Sequence, residues 1–109
     1  MTENFSASEF QCKCGCGYNR IEPCLVNRLQ VIRDILQVPI VINSACRCTQ
    51  HNTNVGGSPN SYHVQGLAVD FTCSKTEEAA RLCENWSGGF KWYADRHCIH
   101  VDLGYRRRW

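Results

Sequence analysis

The sequence predicts an α+β fold, and three observations carry that expectation. One segment repeats its apolar residues at helical spacing, and several short segments are β-branched or alternate apolar with polar side chains. No internal repeat or linker divides the 109 residues, a length suited to one domain (residues 1–109) with one core.

Residues 1–20 are irregular in pattern, with Phe5 and Phe10 expected to pin this arm to the body and Ser6 to Phe10 forming one helical turn. The first helix is expected from Glu22 to Leu36. Pro23 suits its first turn, and Leu25, Leu29, Ile32 and Leu36 make one apolar stripe. Pro39 stops it, and PIVINS then reads as a short buried strand. From Ala45 to Gly66 the chain is polar and turn-rich, and so long a loop in a small domain points to function. LAVDF follows as a strand, with Ala68 and Asp70 on one face and Leu67, Val69 and Phe71 on the other. Ser74 and Glu77 form a capping box for a second helix reaching Trp86, with Ala79, Leu82, Cys83 and Trp86 inward and Gly88-Gly89 closing it. FKWY and CIHVDLG read as a hairpin joined by Ala94, Asp95, Arg96 and His97.

Composition excludes several classes. With 43% apolar and 20% charged residues the chain is neither a disordered tail nor a membrane protein, and no run reaches the roughly 18 apolar residues of a span. The first twenty residues lack the apolar stretch of a secretory signal, so no export by that route is expected. The formal charge of +2 rests on Arg106, Arg107 and Arg108, without which the body is close to neutral. A nucleic-acid-binding face is therefore not expected.

Nine cysteines are too many for a chance complement, and an odd number cannot all pair. Disulfides of a secreted or cell-wall enzyme, or buried free thiols, are the favoured reading. A structural zinc on Cys12, Cys14, Cys16 and Cys24 is the alternative. It is disfavoured because alternating C-x-C-x-C departs from the usual C-x2–4-C spacing.

The last strand is the most informative. In CIHVDLG, Ile99, Val101 and Leu103 share one face while His100 and Asp102 share the other, and Asp70 stands opposite the apolar row of LAVDF. With His63, seven residues before Asp70, these give a two-histidine, one-carboxylate set. Three ligands are too few for a closed structural zinc but leave a fourth position for water, whose pKa zinc lowers to about 7. Spacing alone does not separate such a set from ordinary hydrogen-bonded residues. The local sequence does.

SYHVQGLAVD resembles the S-x-H-x-x-G-x-A-x-D signature of the zinc D-Ala-D-Ala carboxypeptidase superfamily, which includes phage L-alanyl-D-glutamate endopeptidases and the hedgehog signalling domain. INSACRC resembles its "vnSgyR" element, HNTNVGGSPNSYH its loop before the first ligand, and IHVDLGYRRRW its "vHvD-x-G-x-R-x-W" ending. The opening FSASEFQCKCGCG and the segment LQVIRDILQVPIVINS also fit, so the likeness spans nearly the whole chain.

The resemblance implies a hedgehog/DD-peptidase-like domain with a central antiparallel sheet flanked by helices. It implies one catalytic zinc held by His63, Asp70 and His100. Arg47 matches an arginine that steadies the developing oxyanion or holds a substrate carboxylate, and Ser61 matches a serine that contacts substrate. Many members carry Glu or Asp three residues before the last ligand as general base. That position here is His97, whose ordinary pKa suits the task; Asp95 ranks second and Asp102 third, the last equally suited to orienting a ligand. Tyr93 and Trp109 are candidates to line the cleft, with core packing the default for both, and the arginine-rich end is expected to be a solvated tail with only Trp109 packed. The implied protein is a monomeric zinc metallopeptidase cutting peptidoglycan stem peptides at the bacterial cell wall, a phage or prophage lysin among the possibilities. The alternatives are a non-catalytic zinc-containing cell-wall-binding module of the same fold and a cysteine-cluster zinc adaptor.

Overall fold

The computed structural model describes residues 2–108. After a 3-10 turn at Ala7–Phe10 come α1 (Pro23–Leu36), β1 (Val41–Ser44), α2 (Thr49–Asn54), β2 (Ala68–Thr72), α3 (Thr76–Leu82), β3 (Gly89–Tyr93), β4 (Cys98–Asp102) and β5 (Arg107–Arg108). A second 3-10 turn, Ala94–Arg96, joins β3 to β4. The five strands form one sheet in the order β1-β2-β4-β3-β5.

Helix α1 starts with Pro23 in its first turn and buries Leu25, Val26, Leu29, Ile32 and Leu36. It ends when Gln37 turns left-handed (φ 58°), two residues ahead of Pro39. Its apolar stripe joins Val69, Phe71, Ile99 and Val101 of β2 and β4, with Phe5 and Phe10 of the arm, in a single core. Each fully buried aliphatic or aromatic side chain there contributes about 1.5–3 kcal/mol. Strand alternation then turns Asp70 and His100 to the opposite face of the sheet.

Several expectations need correction. The sheet is mixed rather than antiparallel: β5 runs parallel to β3, pairing Gly89 with Arg107 and Phe90 with Arg108. The arginine-rich end is thus no solvated tail. Arg106 Nη1 donates to the Trp86 carbonyl at 2.9 Å, Arg108 Nη1 to Gly88 at 2.8 Å, and Arg107 Nη2 reaches Asp102 at 2.8 Å. Trp109 lies outside the described residues. The polar loop contains α2, six residues too short and too polar to show an apolar period. β1 is an edge strand with Val41 exposed and only Ile42 buried. Helix α3 begins after Lys75 without the Ser74–Glu77 box and stops at Leu82. Trp86 lies beyond it, held instead by its indole N–H on the Asp102 carbonyl at 2.7 Å.

Candidate metal centre

The β2–β4 register sets Asp70 directly beside His100. The loop between α2 and β2 brings His63 to the same place, so that one donor atom from each of His63, Asp70 and His100 lies within 4.8 Å of the others. Asp70 is the hinge of the group: Oδ1 accepts from His100 Nδ1 at 2.8 Å and Oδ2 faces His63 Nε2 at 3.3 Å. The two imidazoles meet edge to face, their centres 5.5 Å apart.

The outer nitrogen of each ring is anchored. His63, which is buried, donates from Nδ1 to the Ala45 carbonyl at 2.7 Å, so its neutral form presents the Nε2 lone pair to the centre. His100 Nε2 donates to Asp102 Oδ2 at 2.9 Å, leaving Nδ1 as the inward atom. A metal-binding histidine typically has its other nitrogen fixed by a carbonyl or a carboxylate, and here there is one of each. The donor set, its spacing and this outer anchoring fit a divalent metal bound by three protein atoms with positions left over.

Asp102 is fully buried and saturated. It accepts from the Gly89 and Gly104 amides at 2.9 and 3.0 Å as well as from His100 and Arg107. A β-carbon on Gly89 would stand 2.3 Å from this carboxylate, so the approach requires glycine at that position. With its oxygens engaged in this way, Asp102 is placed to orient the His100 ring.

The charges follow from these contacts. Burial alone would raise Asp70, but hydrogen bonds from His100 and His63 and the positive charge beside it hold the carboxyl well below the usual carboxylate range. Burial would lower His100, yet the Asp102 and Asp70 carboxylates on its two nitrogens outweigh it and raise the imidazole to about 9. Asp102, despite burial, is held at about 2 by His100 and the two glycine amides.

A metal ion taken up here through His100 Nδ1 would have to displace the proton on that atom. Between pH 6 and 8 the affinity of this centre is expected to rise about tenfold per pH unit, levelling off only above about 9. An ordinary histidine would flatten the curve above about 6.5. Imidazole NMR of His100, followed through pH and metal titrations, measures both quantities. Asp102→Asn should move the curve to lower pH.

Arg47 stands beside the centre. Its Nη2 lies 3.7 Å from Asp70 Oδ2, Nε donates to Ser44 Oγ at 3.2 Å, and Nη1 donates to Asn52 Oδ1 at 3.2 Å. Asn52 is buried and anchored by its own donation to the Ser58 carbonyl at 2.8 Å. Ser61 accepts from the His63 amide at 3.2 Å, a turn-stabilising bond, and also lines a cleft of about 370 Å³ with Ser58, Asn60, Tyr62, His100, Tyr105 and Arg107. Asp95 and His97 belong to neither grouping. Both are exposed on the β3–β4 turn, His97 in the left-handed region at φ 49°. Tyr93 is not among the residues lining the cleft; its ring lies under Arg96 and Lys91. Asn52 and Tyr62 are not singled out by the sequence, and Arg107 only as part of a charged end. The HN of HNTNVGG was the only signal that could have found the first.

The peptidase M15 family pattern matches residues 3–102, nearly the whole chain and every residue of the centre. The chain belongs to that family. A Haemophilus influenzae protein named "Probable peptidoglycan L,D-endopeptidase MepK" is 37% identical over 59 residues, covering 50% of this M15 chain. The match takes in 31% of that relative, so the chain spans well under half of its length. Among the described residues of this family member, no helix is long and apolar enough to cross a membrane.

Proposed function

We propose that this chain is a zinc-dependent peptidase of peptidoglycan stem peptides, built on an arrangement of the hedgehog/DD-peptidase type. The observation that carries the reading is the convergence of His63, Asp70 and His100 with both outer imidazole nitrogens anchored. Membership of the M15 family and the partial likeness to an endopeptidase support it, and the latter's name favours an internal cut.

Zinc, when bound, would supply a Lewis acid and an acidified water. The chain's own groups do the rest. His63, Asp70 and His100 hold the ion, and Asp102 keeps the His100 ring turned toward it. Arg47 offers a guanidinium fixed at two nitrogens to a substrate oxygen gaining negative charge. Ser61, Tyr62 and Arg107 line the cleft that takes the peptide, with Arg107 suited to its carboxylates. For the base that would take a proton from the attacking water, the turn before β4 offers His97 first and Asp95 second, both exposed and outside the cleft lining.

The exposure of both those side chains favours a second reading: a zinc-containing cell-wall-binding module of the same fold that cuts nothing. Mass spectrometry of stem peptides incubated with zinc-loaded protein separates the two. Fragments released by wild type, and none by His63→Ala, are expected. Binding to peptidoglycan without any fragment supports the second reading, and full activity of a His63→Ala, His100→Ala double variant overturns the first.

A further inference from the structure

Four cysteine sulfurs gather away from the histidine centre. Those of Cys12, Cys14, Cys16 and Cys48 all lie within 4.8 Å of one another, and no disulfide joins them. Cys12 Sγ is 3.4 Å from Cys14 and 3.8 Å from Cys48, and the Cys14–Cys48 separation is 3.7 Å. Zinc–thiolate bonds of about 2.3 Å place the corners of a tetrahedron about 3.8 Å apart. Three of the six edges are therefore already close to the lengths zinc requires. The spacing objection to C-x-C-x-C is met by the backbone, since Gly15, between Cys14 and Cys16, takes positive φ (87°). That turn breaks the extended path on which alternate residues would point along one line. Backbone amides also point at the sulfurs, from Cys48 to Cys12 and from His51 to Cys48, both at 3.4 Å. Hydrogen bonds of this kind hold ligating sulfurs in place.

We propose that Cys12, Cys14, Cys16 and Cys48 form a second, structural zinc site, closed by four thiolates. The fourth ligand is Cys48 and not Cys24, which sits exposed in the first turn of α1. Four protein donors leave no position for water, so this site does no hydrolysis. Its role follows from where it ties the chain. Cys48 adjoins Arg47 and caps α2, while Ala45, three residues earlier, holds the His63 ring. The Cys46 amide bonds to the Phe10 carbonyl at 3.0 Å, so the segment from Ala45 to Cys48 already lies along the N-terminal arm. Zinc at the four sulfurs clamps that segment, and with it the backbone of Arg47, to residues 12–16.

Metal analysis of protein purified under reducing conditions, together with cobalt substitution, tests this. Wild type should hold two zinc equivalents, and its cobalt form should show the intense near-ultraviolet thiolate-to-cobalt band. Cys14→Ser and Cys16→Ser, chosen because both thiols are exposed, should each lose one equivalent and weaken or abolish the band. Cys24→Ser should keep both. His63→Ala should keep the band, so failure of the peptidase reading and failure of this one are distinguishable. The proposal is overturned if folded wild type lacks the band, if Cys14→Ser and Cys16→Ser leave metal content unchanged, if the protein carries iron in place of zinc, or if its mass shows bridges among these four cysteines.

Discussion

Asp70→Asn is expected to abolish stem-peptide hydrolysis and to weaken zinc at the histidine centre by at least about a hundredfold. Loss of an orienting partner outside the ligand set already costs about 10–100-fold, and Asp70 is placed to be a ligand. Asparagine keeps the size of the side chain and one oxygen, so the substitution removes charge with little change of shape. Two consequences separate it from a general folding defect. His100 loses one of the two carboxylates that raise it, so its pKa falls from about 9 toward the ordinary value. The stability lost in the variant is confined to a pH window bounded at both ends. In the metal-free wild type the raised His100 contributes stability that is full below about 6.5 and is lost as pH rises through about 9. The depressed Asp70 contributes stability present above about 4 and lost as pH falls through its low folded value. The variant should lose the Asp70 share entirely and the His100 share in part, which thermal denaturation against pH measures. Zinc held by the four thiolates should be untouched. Wild-type hydrolysis by Asp70→Asn would remove this residue from the ligand set.

What the sequence made legible was the part written in local periodicity. The stripe Leu25, Leu29, Ile32, Leu36 is the buried face of α1, and the alternation in LAVDF and CIHVDLG turns Asp70 and His100 to one side while Val69, Phe71, Ile99 and Val101 enter the core. Parity gives a side of a strand but not a neighbour. That Asp70 lies directly opposite His100 is a matter of register, set across thirty residues of chain. Asp102 shows the same limit. Its parity with His100 was visible, yet its saturation depends on the Gly89 amide from β3 and on Arg107 from β5, and β5 itself was hidden. A run of arginines reads as solvated because charge dominates the pattern; its pairing here is carried by backbone and by guanidinium bonds to carbonyls, neither of which has a sequence period. Cys48 was hidden for a third reason. Metal spacing rules work within a knuckle, and this sulfur comes from a segment 32 positions beyond Cys16, brought in only when the arm packs along the loop after β1.

Arg47→Ala is expected to lower kcat by about a hundred- to a thousandfold with a smaller change in KM, the signature of a group that works on developing charge rather than on bound substrate. The same change should leave zinc affinity at the histidine centre intact or slightly higher. Nη2 lies 3.7 Å from Asp70 Oδ2, and a cation at that distance opposes the arrival of a second one on the same carboxylate. Activity and metal affinity thus move in opposite directions, which neither unfolding nor loss of a ligand would produce. Arg47→Lys tests whether charge alone suffices. Lysine keeps the cation but offers a single point donor, whereas Arg47 spends Nε on Ser44 and Nη1 on Asn52 while Nη2 faces the centre. Without that fork the ammonium is free to settle on Asp70 itself, so lysine should restore only a small part of kcat. Asn52→Ala leaves Arg47 in place chemically but removes its brace, and should cost kcat about tenfold while zinc content stays at the wild-type level. If Arg47→Ala kept full kcat, the guanidinium would be a surface cation that happens to lie near the ligands, and stabilisation of the oxyanion would fall to the metal alone.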